Sequence, residues 1–540
     1  MVSTLKFNPS LKSRWNYLDF CKEILGSEYV ITTENVIGAL ETATFETSQR
    51  VCFMVQPGSA KEVQECLKAA QQFEVPIYPI SRGYNWGYGS KVPDESWSVV
   101  MDLSRLNQIK VDGKNATVTV GPGVSQQQLF EYLRSNYPHL LFSLTGSSPH
   151  SSVIGNALDA GYANGLNSIR WNHVISLEAI LPSGEFLKTG FDGLSNASTA
   201  GLSHWGVGPD LKGLFRQSNL GIVTEMTIEL RLLPEYLQMF YFSIDEEEQL
   251  DELIDQLQNL KQSGLIESNW ILLHGYRILA EVSQFPWQKA NEKQTLDRDL
   301  MLKLLREQEI PVWSGIYNGV FAVYSPTLRH AEAVKADIHE VLSQKVSRLQ
   351  SFTVDKAQIQ NLRFQHTLEV PEVTHRVLKG RLLTFAGIPV QGSVPMSYWR
   401  KKSPIPQVMD LDQDQCGFLW MAITAPSSGT DALNLVPVIE QFFTDYGFEP
   451  MIVLDGVNSR EMYVMTSLVY DREVVGQDQK ARQCFDRLAT ELRTMGYYQY
   501  RLPKPFSSVE SLGKRKDDQT SILTKLQSCL LVGAKIQTFN

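Results

Sequence analysis

The sequence has few cysteines and no spacing that groups them. Its six cysteines are scattered over 540 residues without a CxxC pair, which favours free thiols in a reducing compartment over a disulfide framework or a zinc site. The nine histidines show neither HExxH nor HxxxH spacing, the patterns in which histidines bind metal from one helix face. The sequence therefore predicts no structural metal.

Long apolar runs and excess positive charge are also missing. No window reaches the ~18 uninterrupted apolar residues of a membrane-spanning helix, and the segment from Met1 to Asn16 lacks the apolar stretch of a signal peptide. A formal net charge of -9 disfavours nucleic acid as a partner, because a negative surface repels phosphate backbones. We expect a cytoplasmic protein that binds neither nucleic acid nor membrane.

The length and the N-terminal patterning indicate two domains of mixed structure. A single hydrophobic core stops growing at roughly 250–300 residues, so a chain of 540 residues should divide. A strand from Val51 to Pro57, an N-cap at Ser59, a helix to Phe73 and a strand near Pro76 form a strand–helix–strand unit. Further along, Asp112-Gly113 predicts a hairpin turn, and Gly221 to Leu233 reads as one long strand.

The second half of the sequence repeats an order of strands and helices. Strands and helices alternate between 239 and 345, and a similar order returns between 418 and 495. Two such halves predict one broad antiparallel sheet covered by helices. The segment Val346 to Gln415, which carries several prolines and glycines, is predicted to be irregular. The last forty residues are predicted to return to the first domain.

A glycine-rich segment between Pro76 and Ser90 is a candidate phosphate site. Glycine permits positive φ and close backbone approach, so successive N–H groups can surround a pyrophosphate without a lysine. The segment has neither the GK[ST] of a Walker loop nor the following helix of a Rossmann fingerprint, and a plain structural turn is an equal alternative. The candidate cofactor-binding residues are Ser81, Arg82, Gly83, Tyr84, Asn85, Gly87 and Tyr88.

Two later segments are weaker candidates for the same ligand. Gly146 to Gly161 is rich in small and hydroxylated residues that let a flat cofactor approach the chain, although such runs are more often loops. Gly221 precedes a β-branched strand, where a missing side chain could accommodate adenine or ribose; a β-bulge is the alternative. The candidate residues are Ser147, Ser148, Ser151, Gly155, Asn156, Gly221, Ile222 and Val223.

In this order and spacing, the three segments resemble the FAD-binding domain of the vanillyl-alcohol oxidase and p-cresol methylhydroxylase family. Asn85 to Gly89 is similar to its pyrophosphate loop, Val153 to Asp159 to its isoalloxazine-flanking segment, and Gln217 to Thr224 to its late FAD motif. The resemblance extends over most of the chain and implies an α+β, two-domain FAD-binding fold. We expect an FAD-binding domain at 1–235, completed by 500–540, and a substrate-binding cap domain at 236–499 with the large antiparallel sheet.

A narrower resemblance, to the phenol-oxidising branch that includes 4-cresol dehydrogenase, rests on Tyr88, Asp159, Tyr500 and Arg501. It implies that two tyrosines and an arginine hold the substrate oxygen as a phenolate beside the flavin. A hydride would then leave the para benzylic carbon, and the resulting quinone methide would give a hydroxylated or carbonyl product. Asp159 is the candidate base that activates water or balances charge at the flavin.

The sequence departs from the family in ways that affect the cofactor and the substrate. Covalent members tether FAD through histidine or tyrosine, but Asn85 stands at one such position and Asp410 to Ala425 contains neither residue. We therefore expect noncovalent FAD. Ala160 and Gly161 follow Asp159, where phenol oxidisers tend to have an arginine, and Ser528 to Lys535 replaces the usual C-terminal turn.

Two alternative functions remain open from the sequence. One is an FAD-dependent alcohol or hydroxy-acid oxidoreductase of the same fold, favoured if Tyr88, Tyr500 and Arg501 do not converge on the flavin. The other is a flavin-binding protein without catalysis. The electron acceptor, oxygen or a redox protein, is not indicated, and the relatives suggest a homodimer.

Overall fold

The computed structural model describes residues 11–166, 168–290, 295–365 and 375–504. The predictions for the tail after Lys504 lie outside these ranges. Within the described ranges, no helix combines the length and apolarity needed to cross a membrane. The five cysteines in these ranges are free thiols.

The predicted strand–helix–strand unit forms a four-stranded sheet near the N-terminus. Its strands follow the order β1 (Val30–Ile31), β2 (Val51–Val55), β4 (Ser98–Asp102) and β3 (Ile77–Ile80). Strands β2 and β3 both run parallel to β4, and the Ser59 hydroxyl accepts a hydrogen bond from Glu62 N at the start of α3 (Ala60–Gln72). The glycine-rich segment begins where β3 ends, at the carboxyl edge where parallel sheets commonly bind ligands.

A five-stranded antiparallel sheet follows. Its order is β5 (Ile109–Asp112), β6 (Thr117–Val120), β10 (Ile222–Glu229), β8 (Val174–Ile180) and β9 (Phe186–Lys188). The hairpin predicted at Asp112-Gly113 is confirmed by the pairing of β5 with β6.

The single strand predicted from Gly221 to Leu233 is wrong. Strand β10 ends at Glu229, and Leu230 N donates to Ala116 O at 2.7 Å. The chain then forms β11 (Arg231–Leu232), which pairs with β7 (Leu140–Leu141) in a separate two-stranded sheet. The continuous apolar pattern could not reveal this change of partner.

The broad antiparallel sheet predicted for the second half of the chain is confirmed. In chain order its eight strands are β12 (Tyr236–Ile244), β13 (Trp270–His274), β14 (Tyr317–Ser325), β15 (Arg348–Asp355), β16 (Cys416–Pro426), β17 (Val453–Gly456), β18 (Glu461–Asp471) and β19 (Tyr498–Arg501). Their order in the sheet is β15-β12-β14-β13-β17-β18-β16-β19, and every neighbouring pair is antiparallel.

The two faces of this sheet bury different cores. Along β12, Met239 and Tyr241 join a core that also contains Tyr88 from the glycine-rich segment. The intervening Phe240 and Phe242 join a second core, which is built against helices. This alternation follows from the two-residue period of a strand, and it leaves one face of the sheet directed at the N-terminal half of the chain.

Helices surround the three main sheets. Ser125, which the sequence predicts as a helix cap, caps α4 (Gln126–Asn136) and forms a capping box with Gln128. Besides α3, the helices are α1 (Leu11–Leu25), α2 (Glu34–Leu40), α4 (Gln126–Asn136), α5 (Val153–Leu158), α6 (Gln249–Gln262), α7 (Gly275–Val282), α8 (Arg298–Arg306), α9 (Leu328–Leu342), α10 (Lys356–Gln365), α11 (Arg376–Phe385), α12 (Gly429–Asp445) and α13 (Gln477–Thr494).

The prediction that Val346 to Gln415 is irregular is wrong. The segment contains β15, α10 and α11. Strand β15 lies at the edge of the large sheet, and most of its side chains are only half-buried, so the apolar alternation typical of a strand is weak. The predicted domain limits at 235 and 500 remain predictions.

The helix-covered core makes a prediction about stability. Leu257 of α6 is fully buried in that core, so Leu257→Ala should lower the free energy of unfolding by about 2–5 kcal/mol through lost burial and a residual cavity. Leu232→Ala, at a position 66% exposed, is the matched control and should change it little. Denaturant midpoints measure both, and equal midpoints for the two variants would contradict this assignment of the core.

Candidate active site

A cleft lies against the face of the large sheet that carries Met239 and Tyr241, and its open space, including the solvent at its mouth, is about 1350 Å³. Alternating residues of β13 and β16 project into it, including Ile271 with Leu273 and Phe418 with Trp420. Its opposite wall comes from the glycine-rich segment and from Gly146 to Gly161, the serine-rich segment. The large sheet and the N-terminal half of the chain therefore build one site together.

The glycine-rich segment forms a tight loop at the wall of the cleft. Gly83 and Gly87 have φ of +73° and +79°, a region that glycine enters without steric cost. A Cβ on Gly87 would lie 2.4 Å from Cδ1 of Trp420, so the loop approaches β16 too closely for any side chain there. Of the predicted residues, Ser81, Arg82, Gly83, Tyr84, Asn85 and Tyr88 line the cleft.

Ser81 provides a test of whether the site fits a phosphate-bearing cofactor. Its side chain is 1% exposed, and its hydroxyl has no hydrogen-bond partner among the described residues. Buried polar atoms are nearly always paired, so an unpaired hydroxyl at the wall of a cleft is expected to bond a ligand. A donor beside a glycine loop fits the pyrophosphate of FAD.

The serine-rich segment forms the adjoining wall. Ser147, Ser151, Gly155 and Asn156 line the cleft, and the hydroxyls of Ser147 and Ser151 lie 3.1 Å apart. The guanidinium of Arg82 donates to His150 O at 2.9 Å and so connects the two segments. Ser148 does not line the cleft, since its hydroxyl accepts from His150 N within the turn.

The third predicted segment lies away from the described lining of the cleft. Gly221, Ile222 and Val223 stand at the start of β10, where the two side chains are buried. A Cβ on Gly221 would lie 2.9 Å from Ile180 O, so the glycine is required by packing against β8. Their contact with FAD remains a prediction.

The four residues predicted to be catalytic come together. The Arg501 guanidinium, at the end of β19, donates to Asp159 and to Asn85. Its central carbon lies 3.8 Å from the centroid of the Tyr88 ring, and Asn85 Nδ2 donates to Asp159 at 3.0 Å. Tyr500, the preceding residue, stacks on Tyr463 with ring centroids 4.0 Å apart. Tyr88, Tyr500 and Arg501 line the cleft, and Asp159 lies behind them.

Burial fixes the protonation of these groups. It raises the pKa of Tyr88 to about 12, with Arg501 opposing the shift, and it raises the pKa of Tyr500 well above its ordinary value. Burial alone would lower the pKa of Arg501, but Asp159, Tyr88 and Tyr500 together outweigh burial and the net shift is upward. Both hydroxyls therefore stay protonated donors at neutral pH, beside a permanent cation.

Several residues that line the cleft are not predicted from the sequence. Tyr162, Trp420, Arg277 and Arg381 all line it. Trp420 could have been found by following the alternation along the predicted strand 418–424, because Phe418 and Trp420 share a face. No spacing signal marks Arg277 or Arg381, since they lie on separate helices.

The segment Asp410 to Ala425, where the sequence shows no covalent anchor for FAD, contributes no nucleophile to the described wall of the cleft. Leu411 lines the cleft there. Cys416 packs in a small apolar core with Trp86 and Leu411, and burial raises the pKa of its thiol. The thiol is thus the neutral, unreactive form.

A substitution at Gly87 tests whether flavin binding needs the close approach of the glycine-rich loop to β16. Gly87→Ala should lower the flavin content of the purified protein severalfold, because the new methyl group would collide with Trp420 and displace the loop. Gly476→Ala is the matched control, since Gly476 has φ of +84° but open space where a Cβ would lie. The ratio of absorbance at 450 nm to that at 280 nm measures flavin content. Equal ratios in both variants would refute a close-approach role for Gly87.

Comparisons with known proteins agree with this geometry. A family model described as an FAD binding domain matches residues 52–190. The chain is 36% identical over 490 residues to the 1'-carboxy-chondrochloren decarboxylase of Chondromyces crocatus, covering 89% of each chain. It is 22% identical to the 4-cresol dehydrogenase [hydroxylating] flavoprotein subunit of Pseudomonas putida, covering 94% of this chain and 90% of that one.

Solved structures show the same fold. Substrate-bound p-cresol methylhydroxylase has a TM-score of 0.86 at 20% identity, with 98% of each chain covered. The 4-ethylphenol oxidase of Gulosibacter chungangensis has a TM-score of 0.85 at 21% identity, covering 98% of this chain and 97% of that one. The predicted two-domain α+β FAD-binding fold is confirmed. The chain belongs to the vanillyl-alcohol oxidase and p-cresol methylhydroxylase family, and it is an FAD-dependent oxidoreductase.

Proposed function

We propose that this enzyme oxidises a para-substituted phenol at its benzylic carbon. The observation that carries the proposal is the convergence of Tyr88, Tyr500 and Arg501 in one buried cleft. Two protonated hydroxyls and a guanidinium form a site for an aryl oxyanion. The alternative of an alcohol or hydroxy-acid oxidoreductase required that these residues lie apart, so it is less well supported.

The energetics are adequate for ionising a bound phenol. A simple phenol has a pKa near ~10, and bringing it to ~7 requires about 4 kcal/mol of preferential stabilisation of the anion. Hydrogen bonds to a charged group contribute ~1.5–3 kcal/mol each, so three donors exceed the requirement and leave a margin for desolvation. The raised pKa values of Tyr88 and Tyr500 ensure that they donate to the phenolate.

The other residues of the site would bind the cofactor and balance the charge of Arg501. Ser81, the loop around Gly83, Ser147 and Ser151 would hold FAD without a covalent link, and bound FAD would supply a hydride acceptor. Asp159 orients Arg501 through their ion pair. We assign to Asp159 the additional role of accepting a proton from water that adds to the quinone methide.

Single-residue variants test the oxyanion site. Tyr500→Phe should slow anaerobic flavin reduction by 4-ethylphenol about tenfold to a hundredfold, since it removes one hydrogen bond to a charged oxygen. Tyr498→Phe, at a 52% exposed position on the same strand, is the control. The reduction rate is followed by stopped-flow absorbance at 450 nm. Equal rates in the two variants would remove Tyr500 from the oxyanion site.

The pH dependence tests the role of Arg501 separately. In the wild type, reduction should be nearly constant between about pH 7 and 9, because the site already lowers the pKa of the bound phenol below that range. In Arg501→Met the bound phenol should keep a higher pKa, so the rate should start low and rise with pH toward about 10. Parallel profiles for both enzymes would contradict substrate ionisation by Arg501.

A decarboxylating outcome is the second candidate function. The 36% identical relative is named as a decarboxylase of a carboxylated compound. A quinone methide with a carboxylate on the carbon next to the benzylic position can lose CO2: the Cα–carboxylate electron pair forms the alkene, and the ring regains its phenolate. The product would be a vinylphenol, and no water would be consumed.

Product analysis distinguishes the two outcomes. With 3-(4-hydroxyphenyl)propanoate as substrate, the decarboxylating candidate predicts 4-vinylphenol and CO2 in equal amounts. Chromatography and CO2 trapping measure both. A hydroxylated acid that keeps its carboxylate would contradict decarboxylation and leave benzylic hydroxylation as the function.

A further inference from the structure

Two buried arginines on separate helices line the cleft. Arg277 lies on α7 and is 5% exposed, and Arg381 lies on α11 with a side chain 11% exposed. Both line the same cleft as Tyr88 and Arg501. We propose that Arg277 and Arg381 bind a carboxylate on the side chain of the phenolic substrate, an inference that rests on the proposed function.

The charges of this cluster are not balanced. Arg277 Nε and Arg381 Nη2 both donate to Glu281, at 3.1 Å and 2.7 Å. Both ion pairs thus share a single carboxylate, so the cluster carries a net positive charge. Ser393 Oγ donates to the same carboxylate at 3.2 Å and adds no charge.

The nearby acid Asp455 does not supply the missing negative charge in full. Its side chain accepts two hydrogen bonds from Asn269 at 3.0 Å. Burial raises the pKa of Asp455 to about 7 despite the opposing effect of Asn269. At neutral pH a large fraction of Asp455 is therefore uncharged.

Arg277 also has an unused donor. Its Nη1 is buried and has no hydrogen-bond partner among the described residues. An unpaired buried N–H of a cation is costly, and this one belongs to a side chain at the wall of the cleft. A ligand carboxylate would satisfy the donor and neutralise the excess charge, and guanidinium matches carboxylate geometry with paired hydrogen bonds.

The cleft that holds the arginine pair and the oxyanion site is also lined by aromatic residues. Arg277 lies 5.7 Å from the centroid of the Trp420 ring. Burial raises the pKa of Tyr162, while the charges of Arg277 and Arg381 lower it and Tyr88 interacts with it as well. Tyr162 therefore lies within electrostatic reach of both groups. A phenol with a carboxylate-bearing para side chain carries two anionic groups, one for each of these sites.

The experiment compares a matched pair of substrates on the flavin-loaded enzyme. The ratio of kcat/KM for 3-(4-hydroxyphenyl)propanoate to that for 4-propylphenol should exceed about tenfold in the wild type and approach unity in Arg277→Met. Arg277→Lys should give an intermediate ratio, because it keeps the charge and loses the planar fork. Arg482→Met, which removes a half-exposed arginine on α13, is the control and should keep the wild-type ratio.

A binding measurement is independent of turnover. The wild-type Tm should rise more with 3-phenylpropanoate than with the neutral 3-phenylpropanamide, because a ligand stabilises the state that binds it. Equal Tm shifts for the acid and the amide, or an unchanged substrate ratio in Arg277→Met, would overturn the proposal. Flavin loss in Arg277→Met would also overturn it, by assigning the pair to the cofactor.

These readouts separate the proposal from the function on which it rests. If neither phenol reduces the flavin, the proposed phenol oxidation fails, whatever the Tm shifts show. If 4-propylphenol reduces the flavin but the acid has no advantage, only the carboxylate site fails. The wild-type comparison of acid with amide remains decisive even if the Arg277 variants do not fold.

Discussion

The buried contact between Arg501, Asp159 and Asn85 is the constraint on which the site depends. Arg501 ends a strand of the large sheet, whereas Asp159 follows α5 and Asn85 belongs to the glycine-rich loop. A buried guanidinium needs a paired anion, since an uncompensated charge in the interior is costly. The contact therefore fixes the large sheet against the FAD-binding segments and places Tyr88 beneath the cation.

The pleat of the large sheet explains how the same strands pack against a helix-covered core and also line the cleft. Residues on one face of β16 and β13, such as Phe418 and Ile271, border the cleft and its core. Their neighbours Leu419 and Leu272 belong to the helix-covered core. Because side chains alternate along a strand, the same strands can be anchored by helices on one side and shape the substrate space on the other.

Much of this arrangement could be predicted from the sequence, and the failures have physical reasons. Ser59 and Ser125 mark helix starts correctly, because N-capping is local chemistry. The approach of Tyr88 to Arg501 across more than four hundred residues follows from a family resemblance; no local pattern contains it. Local patterns could not predict which strands pair with one another in the tertiary structure. The strand predicted after Gly221 is too long because a change of hydrogen-bond partner leaves no mark on hydrophobicity.

The degree of burial of a residue also could not be predicted where it depends on segments that are distant in the sequence. Strand β15 escaped prediction because an edge strand buries little. Arg277 and Arg381 resemble ordinary surface charges in the sequence, since their burial depends on Glu281 and on the packing of two separate helices.

The central claim is that the site holds a bound phenol as its anion at neutral pH. The most direct measurement is the ultraviolet difference spectrum of 4-tert-butylphenol bound to the flavin-loaded enzyme at pH 7, since this ligand has no benzylic hydrogen to lose. The account predicts the phenolate band, although the free phenol, with a pKa near ~10, is neutral at that pH. A spectrum of the neutral phenol, with binding otherwise intact, would contradict it.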